Sequence, residues 1–409
     1  MTETIIPVLL GADLNCYNVA RAFHEQYGVI SYAFGRYAVS ATKYSRIIRF
    51  TSVPEIDRDE VMLETLTAFA EKHPEGKLIL FGCTDDYAAM IIRNKDKLPR
   101  YLCACPNESF LDSVSRKAEF YEICEKYGIP YPKTVVLTGK SEAAELSAEA
   151  LGFDYPIVIK PSSSVVYWKH PFDGMKKVYI AKSPEDAQRI LCEIYDSGYD
   201  EKMILQEFIP GGDAHMRVLT AFSDKKGRVR AMCLGHTMIE EHTPKGLGNH
   251  AAIVTEPVSS LPFADKIRAM LEDMGYTGFS NFDIKYTGEG DDFRIFEINL
   301  RQGRSNFYMT AAGMNLAKLA VELYDDEGDS VQMCENEHFW HHVPRAVAYT
   351  YTEDAELVAR AKALKKAGKE TSSLWYAPDV VTNPMRLICV AETLRRQFGK
   401  YKKYYPKSK

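Results

Sequence analysis

The sequence has 409 residues, of which 46% are hydrophobic and 26% charged, a composition typical of folded domains rather than of disordered or collagen-like chains. Its 51 basic and 56 acidic residues give a formal net charge of −5, which argues against a nucleic-acid-binding protein, because such a protein needs a basic face. Nine cysteines are scattered without a CxxC pair, so we expect free thiols and a cytoplasmic location. We expect neither a transmembrane segment nor a signal peptide.

Strand-like and helix-like patterns alternate through the first hundred residues. Residues 5–10 and 78–81 are apolar runs that end at Gly11 and Gly82, and residues 87–92 have a helical pattern. Alternating strands and helices predict a parallel sheet with helices on its faces. Ligands bind at the carboxyl ends of such strands, so the loops after the two glycines either contact a ligand or are ordinary capped turns.

The rest of the chain changes character. Residues 157–161 form an apolar strand that includes a lysine, strands dominate from about 215 to 300, and residues 355–367 have a helical pattern. We therefore predict an α/β protein with an α+β centre. Its predicted parts are a parallel N-terminal domain (1–114), a small lid domain (115–210), a catalytic mixed-sheet domain (211–330) and a C-terminal extension with a basic tail (331–409).

Several common enzyme motifs are absent from the sequence. There is no GxGxxG and no GxxxxGK[ST], which disfavours a dinucleotide enzyme and a P-loop ATPase. GxSxG and HExxH are absent as well, which disfavours two common classes of hydrolase. Cys103 and Cys105 lack the companion ligands of a zinc site.

Two consecutive strands, at residues 281–286 and 293–299, carry the strongest chemical pattern. Alternate residues of a strand face the same side, and the turn at 288–292 would pair the two strands. Asp283, Glu297 and Asn299 would then share one polar face. Three oxygen ligands suit Mg²⁺, and the alternative is an amphipathic hairpin with a polar outer face.

Residues 5–325 resemble the ATP-grasp superfamily, because they contain five of its sequence motifs in the same order. Lys117 resembles its first ATP-binding lysine, Lys160 its second, and residues 206–211 its adenine- and ribose-binding hinge. Asp283, Glu297 and Asn299 match its magnesium ligands, and Arg301 matches the arginine of its E-x-N-x-R strand. The resemblance implies an ATP-grasp fold in which a lid domain and a catalytic domain enclose ATP.

The resemblance also implies which residues contact the nucleotide. They are Lys117, Lys160, Ser162, Ser163, Ser164, Gln206, Glu207, Phe208, Ile209 and Asp213. The stretch after Lys160 departs from the family's usually glycine-rich phosphate-covering loop, although the small serines at 162–164 still allow close backbone approach. Tyr167 and Trp168 in this stretch either form a lid that excludes water or pack on the base of an exposed loop.

Within the superfamily, residues 6–15, 41–47 and 120–134 resemble the D-aspartate ligases of bacterial cell-wall synthesis. Those enzymes join the β-carboxyl of D-aspartate to the lysine ε-amine of a peptidoglycan precursor. The resemblance implies an acyl phosphate intermediate, release of ADP and phosphate, and two Mg²⁺ ions, with Mn²⁺ as an alternative. The other interpretations are an amino-acid or dipeptide ligase with a different acid or amine, and a nucleotide sensor without turnover.

The resemblance assigns four residues to the chemistry. Lys117 and Lys160 would neutralise the phosphates, and Glu297 would bridge the two ions. Arg301 would hold the transferred phosphoryl group and then the oxyanion. Catalytic roles are predicted for Arg301 and Lys160, and also for Arg217 and Ser305.

The amino-acid substrate needs further partners. Arg217, Arg304 and Ser305 are candidates for binding its α-carboxylate, and His236 and His250 are proton acceptors, donors that orient neighbouring groups, or structural histidines. The loop at 245–250 borders the expected site. The basic tail at 400–409 either approaches an anionic lipid or nucleotide-linked precursor or is a solvated extension, and both a monomer and a homodimer are compatible with the sequence.

Overall fold

The structure is a computed structural model that describes residues 4–144, 146–244 and 246–405. The chain divides into two compact units. Unit 1 comprises Met1–Glu108, Gly212–Phe282 and Asn299–Lys409, and unit 2 comprises Ser109–Gly211 and Asp283–Ile298. No helix in the described ranges is long and apolar enough to cross a membrane.

The N-terminal part of unit 1 is a parallel five-stranded sheet with order β3-β2-β1-β4-β5, which confirms the predicted α/β pattern. Asp13 and Thr84 cap the helices that follow β1 and β4, so both loops contain capped turns. The elements are β1 (Thr4–Leu10), α1 (Leu14–Tyr27), β2 (Ser31–Gly35), β3 (Ile48–Ser52), α2 (Asp59–Glu71), β4 (Gly76–Gly82), α3 (Asp85–Asn94) and β5 (Tyr101–Leu102).

Unit 2 contains an antiparallel four-stranded sheet with order β6-β9-β7-β8. Its core packs Ile159 of the sheet against Leu191 and Tyr199. The elements are α4 (Ser109–Ser113), α5 (Lys117–Tyr127), β6 (Thr134–Leu137), α6 (Ala148–Leu151), β7 (Ile157–Pro161), α7 (Ser164–Tyr167), β8 (Tyr179–Ala181), α8 (Pro184–Asp196) and β9 (Met203–Glu207). Gly128 ends α5 at a φ of 60°, a conformation that favours glycine.

The third sheet is mixed, with order β14-β13-β10-β11-β12-β16-β17 and β15 parallel to β11. Its β15, β16 and β17 come from the predicted C-terminal extension, and the four-part division of the chain stays a prediction. The elements are β10 (Met216–Ser223), β11 (Val229–Glu241), β12 (Asn249–Glu256), α9 (Ala264–Asp273), β13 (Gly278–Tyr286), β14 (Phe293–Asn299), α10 (Phe307–Ala311), α11 (Leu316–Lys318), β15 (Gln332–Met333), β16 (Phe339–His341), α12 (Arg345–Tyr351), α13 (Ala355–Lys366), β17 (Glu370–Ser372), α14 (Ala377–Val380) and α15 (Pro384–Tyr404).

Strand β13 alternates as predicted, since Phe282 and Ile284 are fully buried while Asp283 is partly exposed. Strand β14 alternates less cleanly, since Ile295 and Ile298 are both buried and Phe296 between them is partly exposed.

Candidate functional site

Unit 2 gathers opposite charges around Glu297, on β14. Lys117 lies in the first turn of α5, and its Nζ is 2.8 Å from Glu297 Oε2. The Lys117 ammonium above all, with contributions from Lys177 and Lys160, holds the pKa of the Glu297 carboxyl far below its usual range, although burial acts in the opposite direction. Glu297 is thus an anion among three lysines.

Lys160, on β7, is a buried cation of the same group. Its Nζ donates to Tyr121 Oη at 3.2 Å and lies 5.6 Å from the centre of the Phe296 ring. Burial first, and then the positive charge of Lys117, lower the pKa of Lys160 to about 7, against the opposing effect of Glu297. An anion placed beside Lys160 would favour its charged form, which suits a phosphate-binding lysine.

Tyr121 and Lys177 are two residues of this group that the sequence did not single out. Tyr121 donates to the carbonyl of Phe296 at 2.8 Å and stacks on Tyr131 with a centroid distance of 5.0 Å. Its position four residues after Lys117 on one helix was the available signal, since such residues share a face. Lys177 acts electrostatically on both Glu297 and Lys160, and nothing in its spacing pointed to it.

The serine stretch after β7 forms a structured turn. Ser162 is buried, and its Oγ accepts a hydrogen bond from the Ala118 backbone at 3.4 Å. The Ser163 Oγ accepts one from the Val166 backbone at 3.4 Å. Ser164 begins α7, and its side chain is outside the described set. Phosphate contacts by these serines stay a prediction.

Tyr167 belongs to the core of unit 2 and does not form a lid. It is fully buried, its hydroxyl donates to the Lys176 carbonyl at 3.0 Å, and it shares a 2.8 Å hydrogen bond with Tyr179. Trp168 is exposed. Of the two interpretations of this pair, the packed one therefore holds for Tyr167.

The predicted hinge borders an open cavity of about 530 Å³, large enough for a nucleotide base. Glu207 and Phe208 line it, and Glu207 accepts a hydrogen bond from the Lys133 backbone at 2.8 Å. Gln206 is buried and donates to Thr134 at 2.9 Å. The carbonyl of Ile209 accepts from Lys285 Nζ at 2.9 Å. The adenine-binding role of this segment stays a prediction.

The predicted metal ligands are distributed over the two units. Asp283 and Glu297 belong to unit 2, whereas Asn299, at the end of β14, belongs to unit 1. Within the ranges that the structure describes, no three His, Cys, Asp or Glu side chains converge as a metal site. The predicted set contains two carboxylates and one amide, and its assignment stays a prediction.

In unit 1, both predicted arginines of the loop after β14 contact carboxylates. Arg301 Nε lies 2.7 Å from Asp85 Oδ1, and Arg304 Nη2 lies 3.3 Å from Glu241 Oε1. The guanidinium groups are thus positioned by acidic partners from other elements. Their roles in catalysis and substrate binding stay predictions.

Arg217 and His236 share one carboxylate, that of Glu256. Arg217 Nε is 3.0 Å from it, His236 Nδ1 is 2.8 Å from it, and Arg360 Nη1 is 2.9 Å from it. Although burial acts in the opposite direction, the His236 hydrogen bond and the Arg217 charge hold the pKa of Glu256 far below its usual range. His236 Nε2 also lies 2.7 Å from the Ala214 carbonyl. These contacts do not support substrate binding by Arg217 or proton transfer by His236.

Three further predicted residues make structural contacts in unit 1. Asp213 accepts from the Glu240 backbone at 2.8 Å and lies 3.0 Å from His242 Nε2, which does not support its predicted contact with the nucleotide. His250 Nδ1 is 2.9 Å from Thr237 Oγ1. Ser305 is buried. Lys245 of the predicted loop and residues 406–409 of the basic tail fall outside the described residues.

Comparisons of the sequence and the fold with known proteins identify similar enzymes. No protein-family model matches the sequence. The chain is 35% identical over 413 residues to D-aspartate ligase of Enterococcus faecium (strain Aus0004), covering 98% of this chain and 97% of that protein. Among solved structures, an L-amino acid ligase from Bacillus licheniformis matches with a TM-score of 0.54 and 11% identity, covering 79% of this chain and 75% of that one.

A second solved structure is the biotin carboxylase domain of the Hydrogenobacter thermophilus 2-oxoglutarate carboxylase, in complex with MgADP and bicarbonate. It matches with a TM-score of 0.60 and 14% identity, covering 80% of this chain and 71% of that one. At these identities the two structures show the fold alone. The fold and the full-length relative define the class, an ATP-grasp enzyme that acts as an ATP-dependent carboxylate–amine ligase. Within that class, the chain belongs to the D-aspartate ligase family. The predicted fold and enzyme class are confirmed.

Proposed function

We propose that this enzyme joins the β-carboxyl of D-aspartate to the lysine ε-amine of a peptidoglycan precursor, in a reaction that converts ATP to ADP and phosphate. The observation that carries this proposal is 35% identity to a D-aspartate ligase over 98% of the chain. A carboxylate must be activated before an amine can displace its oxygen. In the proposed reaction a carboxylate oxygen attacks the γ-phosphorus, ADP leaves, and the amine then displaces phosphate from the acyl carbon.

The lysine group of unit 2 supports the first step. Phosphoryl transfer depends mostly on positioning and charge neutralisation. Lys117 and Lys160 would hold the phosphates. Lys177 acts electrostatically on Lys160 and Glu297 and would be a third cation beside the phosphates. Lys160 has a pKa near 7 because it is buried, so it would gain its proton fully when the phosphate arrives.

The acidic residues beside these lysines fit a hard cation. Glu297 is held ionised, and Asp283 is close enough to influence Lys160. Carboxylate oxygens are the ligands that Mg²⁺ prefers, so Glu297, Asp283 and Asn299 would hold two Mg²⁺ ions, or Mn²⁺. The ions would neutralise phosphate charge.

The second step needs an oxyanion-stabilising group, for which Arg301 is proposed, and Arg304 is proposed to bind the α-carboxylate of the acid. A guanidinium suits both tasks, because its planar array of donors matches two oxygens. The nine cysteines are free thiols, which supports a reducing, cytoplasmic compartment.

The test is a panel of D- and L-amino acids with a lysine-containing cell-wall peptide precursor, read by ADP, phosphate and amide product. D-aspartate with the precursor should give all three in equal amounts, and L-aspartate should give little. Equal turnover of both enantiomers, or another acid in place of aspartate, would remove the D-aspartate assignment and favour a different amino-acid ligase. AMP and pyrophosphate in place of ADP would contradict the acyl-phosphate route.

A further inference from the structure

The outward side of helix α15 has an apolar first half. Met385 and Ile388 are 55% and 66% exposed, and Val381, just before the helix, is 68% exposed. Phe398, further along, is half exposed. Residues three or four apart on a helix share a side, so Met385 and Ile388 form one exposed apolar stripe. Large apolar side chains that are this exposed and adjacent usually mark an interaction surface.

The second half of the same side is cationic. Arg395 and Arg396 have 74% and 69% exposed side chains, and both pair with the single carboxylate of Glu392. Lys402 and Lys403 are exposed in the last turn. Four cations thus face one anion here, although the whole chain has a net charge of −5.

The apolar and cationic halves lie on one stripe. Steps of three or four residues run from 385 through 388, 392, 395 and 399 to 402 and 403. Over the 21 residues of α15, at 1.5 Å per residue, the stripe is about 30 Å long. Exposed apolar side chains can insert into a membrane interface, and clustered cations are attracted to its anionic headgroups, so each half of this side matches one property of such a surface.

We propose that the outward face of α15 docks on a membrane surface rich in anionic lipid. A second copy of the chain fits this face less well. Two copies packed in parallel would set cations against cations, and two copies packed antiparallel would set each apolar half against a cationic half. An anionic bilayer satisfies both halves, because its negative headgroups attract the cations and the apolar side chains can insert between the headgroups.

The test is co-sedimentation of the full chain with vesicles of phosphatidylcholine containing roughly 30% phosphatidylglycerol, compared with phosphatidylcholine alone. The intact protein should bind the anionic vesicles at low salt, lose binding at high salt, and bind neutral vesicles weakly. Arg395→Gln with Lys402→Gln should weaken binding by more than about tenfold, since each cation contributes about fivefold. Ile388→Ser should weaken it several-fold while leaving the salt dependence unchanged.

The matched control is Lys365→Gln with Lys366→Gln, which removes the same charge from the end of α13. This variant should bind anionic vesicles within about twofold of the parent, because its lysines are off the stripe. All variants should keep the parental ligase activity without vesicles, which verifies folding. Three results would overturn the proposal: equal binding of the stripe and control variants, dissociation of a dimer by Ile388→Ser in light scattering, or tighter binding of single-stranded RNA than of anionic vesicles.

Discussion

Replacing Glu297 with glutamine keeps the shape of the side chain and removes its charge. In the parent protein Lys117 Nζ lies 2.8 Å from the carboxylate, and the two side chains are 12% and 25% exposed. Removing one partner of a fully buried ion pair costs about 3–5 kcal/mol, because the other charge is left without compensation. Water reaches this pair and screens it, so we expect Glu297→Gln to lower the free energy of unfolding by about 2 kcal/mol.

The same change should act on both chemical steps at once. Without the Glu297 charge, the proposed ions lose their shared ligand and the three lysines repel one another. ADP formation and amide formation should then fall together, by about 10²–10³-fold, the effect typical of losing one preorganised charge-stabilising group. Urea denaturation measures the first effect, and parallel assays of ADP and amide product measure the second.

A double-mutant cycle isolates the pair. Lys117→Met combined with Glu297→Gln should cost less than the sum of the single changes, with a coupling of about 1 kcal/mol or more. Glu122→Gln is the matched control, since this exposed glutamate is in the same unit and should change stability by less than about 0.5 kcal/mol. The Glu297→Gln variant could have the same free energy of unfolding as the control and still form amide product with magnesium. In that case Glu297 and the lysines around it are not the phosphate site.

Two further variants test other parts of the structure. Tyr167→Phe should destabilise the protein by about 1–2 kcal/mol in equilibrium unfolding, because the Lys176 carbonyl and the Tyr179 hydroxyl both lose a buried partner; an unchanged midpoint would contradict its place in the core. Burial first, and then the charge of Lys369, lower the pKa of His338 to about 4, below an unfolded value of about 6.5, so its contribution is complete above pH 6.5 and is lost as the pH falls to 4. Water reaches this ring, so the effect is smaller than the full shift implies: His338→Gln should lessen by about 1–2 kcal/mol the fall in the free energy of unfolding between pH 6.5 and pH 4, and a variant whose stability falls as much as the parent's would show that His338 is not the cause.

The sequence predicted the elements whose pattern is local. The runs at 5–10 and 78–81 became β1 and β4 because continuous apolar residues bounded by glycine are typical of buried parallel strands. The alternation at 281–286 correctly predicted the burial of Phe282 and Ile284, whereas Asn281 on the other side of the strand is buried as well. The resemblance predicted separate roles for Lys117 and Glu297, but the contact between them was not predicted, since no local rule relates residues so far apart in the chain.

Other features depend on partners that spacing does not reveal. Arg217 was a candidate for substrate binding and His236 for proton transfer, but both side chains contact the carboxylate of Glu256. The sequence left open whether Tyr167 forms a lid or packs on the base of its loop, and its burial against Tyr179 and Tyr199 could not be read from spacing. The local sequence around a polar residue is compatible with several roles. Which role holds depends on the residues that distant strands bring into contact with it.

The composition of unit 2 from two separate chain segments has a consequence for biosynthesis. Its first segment ends at Gly211 and its second begins at Asp283. Lys117 is in the first segment and Glu297 in the second, and the ribosome adds 180 residues (297 − 117) from the one to the other. At about 5–20 residues per second, a ribosome takes about 10–40 s to supply the carboxylate that pairs with that lysine. During this interval the nascent small unit contains Lys117 and Lys160 without their anion. Its final charged arrangement therefore forms only when the β13–β14 hairpin leaves the ribosome, which makes that hairpin the step that completes the unit.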